Sequence, residues 1–252
     1  MRFKTLQEWS DWLRTRKLDP YAEVPLLFFQ TFQIWSTAFT DARAKLGDVE
    51  LVLALWKANI PGDWAERSWK QLWGYRKNSK EGHESSGEKG IELQLLGEQG
   101  TFKLLRFARK QQTYPLLTAY HNFPLTKCKE GQVVSDALGV LRAERRQRPL
   151  LIEIKKNHKG PWHALVECLK QVKLARGSDD RDDRICRFLG NAVSPMERGA
   201  WGLVVAPATY YKKEMAECRR LLEALKKTHA RIAFSALSTK EPELTWVEGN
   251  WE

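Results

Sequence analysis

Apolar residues along this chain alternate between a period of two and a period near 3.6, and the switches mark out its elements. Residues 114–126 and 132–141 each read as a strand, the first interrupted or ended by Pro124 and the second carrying Asp136 among apolar neighbours. A basic turn leads to a third strand, Arg148-Pro149-Leu150-Leu151-Ile152-Glu153-Ile154-Lys155-Lys156. At a period of two, Ile152 and Ile154 face one way while Glu153 and Lys155 project together the other way. A carboxylate and an ammonium on so apolar a strand are costly unless the rest of the chain gives them partners. Lys159-Gly160-Pro161 then opens a helix with proline in its first turn. Trp162, Val166, Leu169 and Val172 step along it at helical intervals, and Gly177 closes it. On this helix Glu167 and Gln171 lie one turn apart on a shared face.

Further along, residues 201–206 read as a fourth strand, 210–228 as an amphipathic helix and 231–237 as a fifth strand, with a Glu-rich, peripheral tail from Ser238. Upstream, Phe102, Leu105 and Ala108 or Arg109 recur at helical spacing and predict a helix from about Leu95 to Gln111. Glu98 would then lie on or near its inward stripe. A hairpin around Gly97 and Gly100 is the competing reading, and it would move Glu98 into a solvated turn. Residues 1–75 read as mostly helical and hold seven of the eleven tryptophans, which fill a core or serve as stacking platforms. Residues 76–90 are polar and rich in Gly and Ser, a linker by composition. The predicted organisation is a Trp-rich helical region over 1–75, a linker over 76–90 and a second domain over 91–252. That domain is expected to be α/β, a central mixed sheet flanked by helices on both sides.

Composition narrows the function. A chain of 252 residues buries a sizeable core. No apolar run approaches the roughly 20 residues of a membrane span, and the first residues do not read as a signal peptide. The four cysteines form no C-x-x-C pair, so a zinc site or disulfide framework is not expected, and reduced thiols in the cytoplasm are. The formal net charge is +11. Through Gly87 there are 13 Lys and Arg against 11 Asp and Glu; totals of 42 and 31 leave 29 against 20 for the remainder. The positive excess thus travels with Glu153 and Lys155, which favours a nucleic-acid partner for that part.

Asp136 and Glu153, on adjacent strands, could supply the carboxylate oxygens that Mg²⁺ takes, and Lys155 beside them could orient or deprotonate a water and balance phosphate charge. The alternatives are that Asp136 bonds a neighbouring backbone amide and that Glu153 and Lys155 form a simple ion pair. Asp136, followed after sixteen residues by Glu153-Ile154-Lys155, resembles the D…E-x-K signature of the PD-(D/E)XK nuclease superfamily. The resemblance spans roughly 88–237. It implies a restriction-endonuclease-like core and a Mg²⁺- or Mn²⁺-dependent nuclease acting on DNA rather than RNA, with a homodimer allowed for. It also implies metal ligation by Asp136, Glu153 and Glu98, a catalytic Lys155 and an auxiliary Gln171. Ser135 departs from the proline of the motif's name. Arg145, Arg146, Arg148, Lys156 and Lys159 flank the signature and are expected to contact phosphates, positioning nucleic acid without reading its sequence. His158 and His163 read as surface groups, with a histidine-assisted nuclease as the alternative. The rival functions are a nuclease-like binding module without turnover and an interaction protein whose sheet carries a structural ion pair.

Overall fold

The computed structural model describes residues 53, 56, 91, 95, 103–128, 131–143, 146–156, 160–176, 185, 186, 189, 199–212, 215–238 and 243–251. Of the predicted Trp-rich region and linker, only Leu53 and Trp56 fall among them, and both are helical.

An antiparallel meander starts with β1 (Lys103–Arg109), β2 (Gln112–Cys128), β3 (Gly131–Ala143) and β4 (Arg146–Ile154). Helix α1 (Pro161–Ala175) crosses over to β5 (Trp201–Pro207), which runs parallel to β4. A 3₁₀ turn (Ala208–Lys212) and helix α2 (Met215–Leu225) lead to β6 (Ile232–Leu237), parallel to β5. Strand β7 (Glu243–Gly249) returns antiparallel to β6 and pairs in parallel with β1 through Arg106–Glu243, Phe107–Leu244 and Ala108–Thr245. That last pairing closes the sheet into a seven-stranded barrel, which leaves neither β1 nor β7 as an open edge.

Closure corrects the expected fold class. The sheet is not an open layer with helices on both sides. Residues 150, 152 and 154 of β4 point into the barrel with Leu105, Phe107, Leu116, Leu203, Val205 and Ala233. The helical Ile91 and Leu95 are buried in the same interior, where the Leu95 carbonyl accepts a hydrogen bond from Thr118. The opposite face, including Leu138, Val140, Leu151, Val204 and Phe234, packs against both α1 and α2.

Two segments account for the difference. Leu95 is helical, but from residue 103 the helix predicted over 95–111 gives way to strand β1, because Leu105 and Phe107 also alternate at a period of two and fill the barrel interior. The turn between β1 and β2 falls at Lys110, which adopts a positive φ of 56°; Gly97, Glu98 and Gly100, where the competing hairpin was placed, lie outside the described residues. The tail read as peripheral contains β7. Leu244 lies inside the barrel, and Trp246 and Trp251 form an aromatic cluster with Phe107 and Trp201, with ring centroids 5.2–6.0 Å apart. Arg109 and Arg148 lie over Trp246 and Trp201 at 4.3 and 4.6 Å.

Helix α1 forms where the sequence predicts it, with Pro161 in its first turn. It is buried nearly all round, because the sheet takes one side of it and α2 packs against another. Burial of each large apolar side chain, such as Leu165, Val166 and Leu169, contributes about 1.5–3 kcal/mol. Gly202 on β5 allows the close approach: a Cβ there would lie 2.5 Å from Cys168 Sγ and 3.0 Å from a Val172 methyl. Among the described residues no helix is long and apolar enough to cross a membrane. Gly202→Ala is expected to lower the unfolding free energy by about 1–3 kcal/mol in urea titrations, through overpacking of α1. An unchanged midpoint would show that the helix is less tightly seated than these distances imply.

Candidate active site

The site forms where the β3–β4 ladder stops. Regular pairing ends at Ala137–Ile152. Beyond it, Asp136 Oδ2 accepts the Ile154 backbone N–H at 2.7 Å, in the place of a ladder bond. Ser135, buried at the position where the motif's name has proline, donates toward the carbonyls of Ala137 (2.9 Å) and Ile152 (3.1 Å) at the same opening. On its other side β4 is held to β5 by the Lys155 N–H, which donates to Val205 O at 2.9 Å. The strand end that carries Glu153 and Lys155 is therefore fixed from both neighbours.

Glu153 lies on the helix-facing side of β4 and is only 4% exposed. Its Oε1 is 2.5 Å from Lys155 Nζ, and its Oε2 accepts a hydrogen bond from the Gln171 amide of α1. The same Gln171 nitrogen lies 3.3 Å from Val134 O, so this side chain ties α1 to both β3 and β4. The Gln171 amide oxygen is buried without a partner. Lys155 Nζ is also 2.8 Å from Glu167 Oε2, and His163 Nε2 is 3.6 Å from the other oxygen of Glu167.

Burial pushes the Glu153 carboxyl well above its ordinary range, and the nearby Asp136 and Glu167 carboxylates push it further than Lys155 can pull it back. Burial alone would lower the Lys155 pKa, but Glu153 and Glu167 outweigh it and hold the ammonium charged well above the usual lysine range. Burial acts against ionised Glu167 too, yet the neighbouring His163 imidazole and the charge of Lys155 bring its pKa down to about 2. Carboxylates thus outnumber the lysine in a largely dry site, which is the electrostatic condition a divalent cation relieves.

Of the sequence-predicted residues, Asp136, Glu153, Lys155 and Gln171 come together. Glu98, Arg145 and Lys159 lie outside the described residues, as does His158. Lys156 is exposed directly after Lys155. Arg146 and Arg148 sit in the first part of β4, with Arg148 about 17 Å from Glu153 along the strand and stacked over Trp201. Two residues not assigned to the site from sequence belong to it. Glu167 contacts Lys155, and His163 is no surface group, its side chain being 12% exposed beside Glu167. The spacing His163, Glu167, Gln171 (i, i+4, i+8) carried that signal, since it puts three polar groups on one face of a largely buried helix.

The side chains present are of the ligand type that Mg²⁺ and Mn²⁺ take. Asp136 and Glu153 offer hard oxygen ligands, and two carboxylates completed by water and substrate phosphate are what Mg²⁺ commonly takes. Among the described residues, no group of three or more His, Cys, Asp or Glu is arranged to hold a metal ion by itself. No protein-family model, curated protein or solved structure matches this chain.

The depressed Glu167 pKa has a definite sign in stability. A group lowered from 4.5 to about 2 on folding stabilises the fold above the unfolded value, and that contribution is lost as pH falls toward the folded one. The stability difference between wild type and Glu167→Gln is therefore expected to shrink by about 1–3 kcal/mol between about pH 5 and about pH 3, measured by urea unfolding. Parallel pH profiles for the two proteins would show that Glu167 is not held ionised by its neighbours.

Proposed function

We propose that this protein is a metal-dependent nuclease that hydrolyses phosphodiester bonds, in DNA rather than RNA. One observation carries the reading: Asp136, Glu153 and Lys155 meet at the opening of the β3–β4 ladder, beneath the Gln171 side chain of α1. The set matches the D…E-x-K resemblance, and the Asp136 carboxylate is close enough to Glu153 to help raise its pKa. The proposal does not need the open, doubly flanked sheet that the family likeness implied.

Asp136 and Glu153 would hold the metal, which when bound supplies Lewis acidity toward the phosphate, a water of lowered pKa and a fixed substrate orientation. Gln171 fixes one oxygen of Glu153 and so sets how the carboxylate is turned. Asp136 is turned by the Ile154 amide in the same way. Lys155 is held as a cation by two carboxylates, so its part is to orient the water and offset charge on the phosphate.

Binding of the polyanion accords with the net charge of +11 and the exposed Lys156 beside the site. A cytoplasmic setting accords with the buried Cys168, which forms no disulfide. The second reading is a nuclease-like nucleic-acid-binding module without turnover.

Incubation with plasmid, linear and single-stranded DNA and with RNA, with and without Mg²⁺ or Mn²⁺, tests the proposal. Cleavage that needs the metal is expected, falling about 100-fold or more in Glu153→Gln, Lys155→Ala and Asp136→Asn. The last of these keeps an acceptor for the Ile154 amide. Undiminished cleavage in the variants defeats the assignment, and salt-sensitive binding with no cleavage by the wild type establishes the binding module.

A further inference from the structure

Lys155 follows directly on the end of β4 and has a four-carbon stem with rotatable bonds throughout. A contact with Glu153 alone would pin its ammonium to a neighbour on the same strand and leave it free to pivot about that one carboxylate. A second carboxylate holds it from another element. Glu167 Oε2 lies 2.8 Å from Nζ, against 2.5 Å for Glu153 Oε1, so the ammonium sits between a group on the sheet and a group on α1. Glu167 itself is steadied from one turn earlier by His163, 3.6 Å from its other oxygen, and α1 is locked in rotation by the buried Leu165, Val166, Cys168 and Leu169. The arrangement is more than a stability device needs. A single glutamate already pairs this lysine, and a further buried carboxylate adds like-charge repulsion with Glu153 and Asp136 that an apolar side chain at the same position would avoid.

We propose that Glu167 is a positioning residue that, braced by His163, clamps the Lys155 ammonium against Glu153 and so fixes the lysine for the reaction. The inference rests on the nuclease reading above. Neither Glu167 nor His163 is assigned contact with the substrate, and neither is needed for the metal-binding carboxylates to meet.

The test measures the lysine directly as well as the reaction. In the full-length wild-type protein, NMR is expected to show a slowly exchanging ammonium resonance of Lys155, told apart from that of the buried Lys170 by its disappearance in Lys155→Met. In Glu167→Gln, which keeps the shape of the side chain, that resonance is expected to be lost to exchange while the far-UV circular dichroism stays that of the folded protein. Cleavage at saturating DNA is expected to fall about 10- to 100-fold with KM within about twofold, the pattern of an interaction that acts on the chemical step. His163→Gln, at the rim of the site, is expected to weaken both readouts in the same direction but less, and it decides the matter if the glutamate variant does not fold. A protected resonance retained in Glu167→Gln overturns the clamp, as does a lost resonance with an unchanged saturating rate. If the wild type cleaves no nucleic acid, the nuclease reading fails, and the lysine resonance still shows whether Glu167 holds the ammonium.

Discussion

The constraint behind this site is the cost of keeping ionised groups out of water under a helix that is buried almost all round. Glu153, Lys155 and Glu167 can persist between β4 and α1 only because each has a partner of opposite charge or a hydrogen-bond donor within reach. Compensation remains incomplete, and Glu153 bears the imbalance. A core built for stability alone would place apolar side chains at these positions. That uncompensated cost is what sets this spot apart as the candidate site.

The backbone at this point is shaped to serve it. Had the β3–β4 ladder continued past Ala137–Ile152, the Ile154 amide would have taken a main-chain acceptor and Asp136 would have had no structural reason to lie across the strand end. Opening the ladder exchanges one backbone bond for a side-chain bond and brings a second carboxylate toward Glu153. Ser135 serves the same opening by donating to the carbonyls on either side of it. The parallel pairing of β4 with β5 fixes the other edge, and Gly202 lets α1 sit close enough for Gln171 to reach across.

Much of this was legible in the sequence, and the parts that were not have identifiable reasons. The alternation in 148–156 placed Glu153 and Lys155 on one face and Ile152 and Ile154 on the other, as the structure has them, because one face of β4 meets α1 and the other fills the barrel. The proline-started helix was equally clear. Residues 102–109 fit both a three-residue and a two-residue period, and only the barrel interior that receives Leu105 and Phe107 decides between them. Strand β7 was hidden because two of its seven residues are glutamates, one at its start and one near its end, while the apolar alternation between them is short. Glu167 was visible as a neighbour of Gln171, but nothing in a single chain indicated that the lysine two strand positions beyond Glu153 would reach it. The closed topology depends on pairings between residues more than a hundred positions apart, which no local pattern encodes.

The aromatic seal of the barrel joins segments made at very different times. Phe107 is synthesised early in this domain, whereas Trp246 and Trp251 come at its end. The segment from β2 to β5, which includes every residue placed in the candidate site, is complete before β7 exists. During translation at roughly 5–20 residues per second, β1 therefore spends seconds with one edge exposed and its interior-facing side chains uncovered. In that interval the nascent chain resembles an open sheet with a sticky margin, vulnerable to aggregation until β7 emerges.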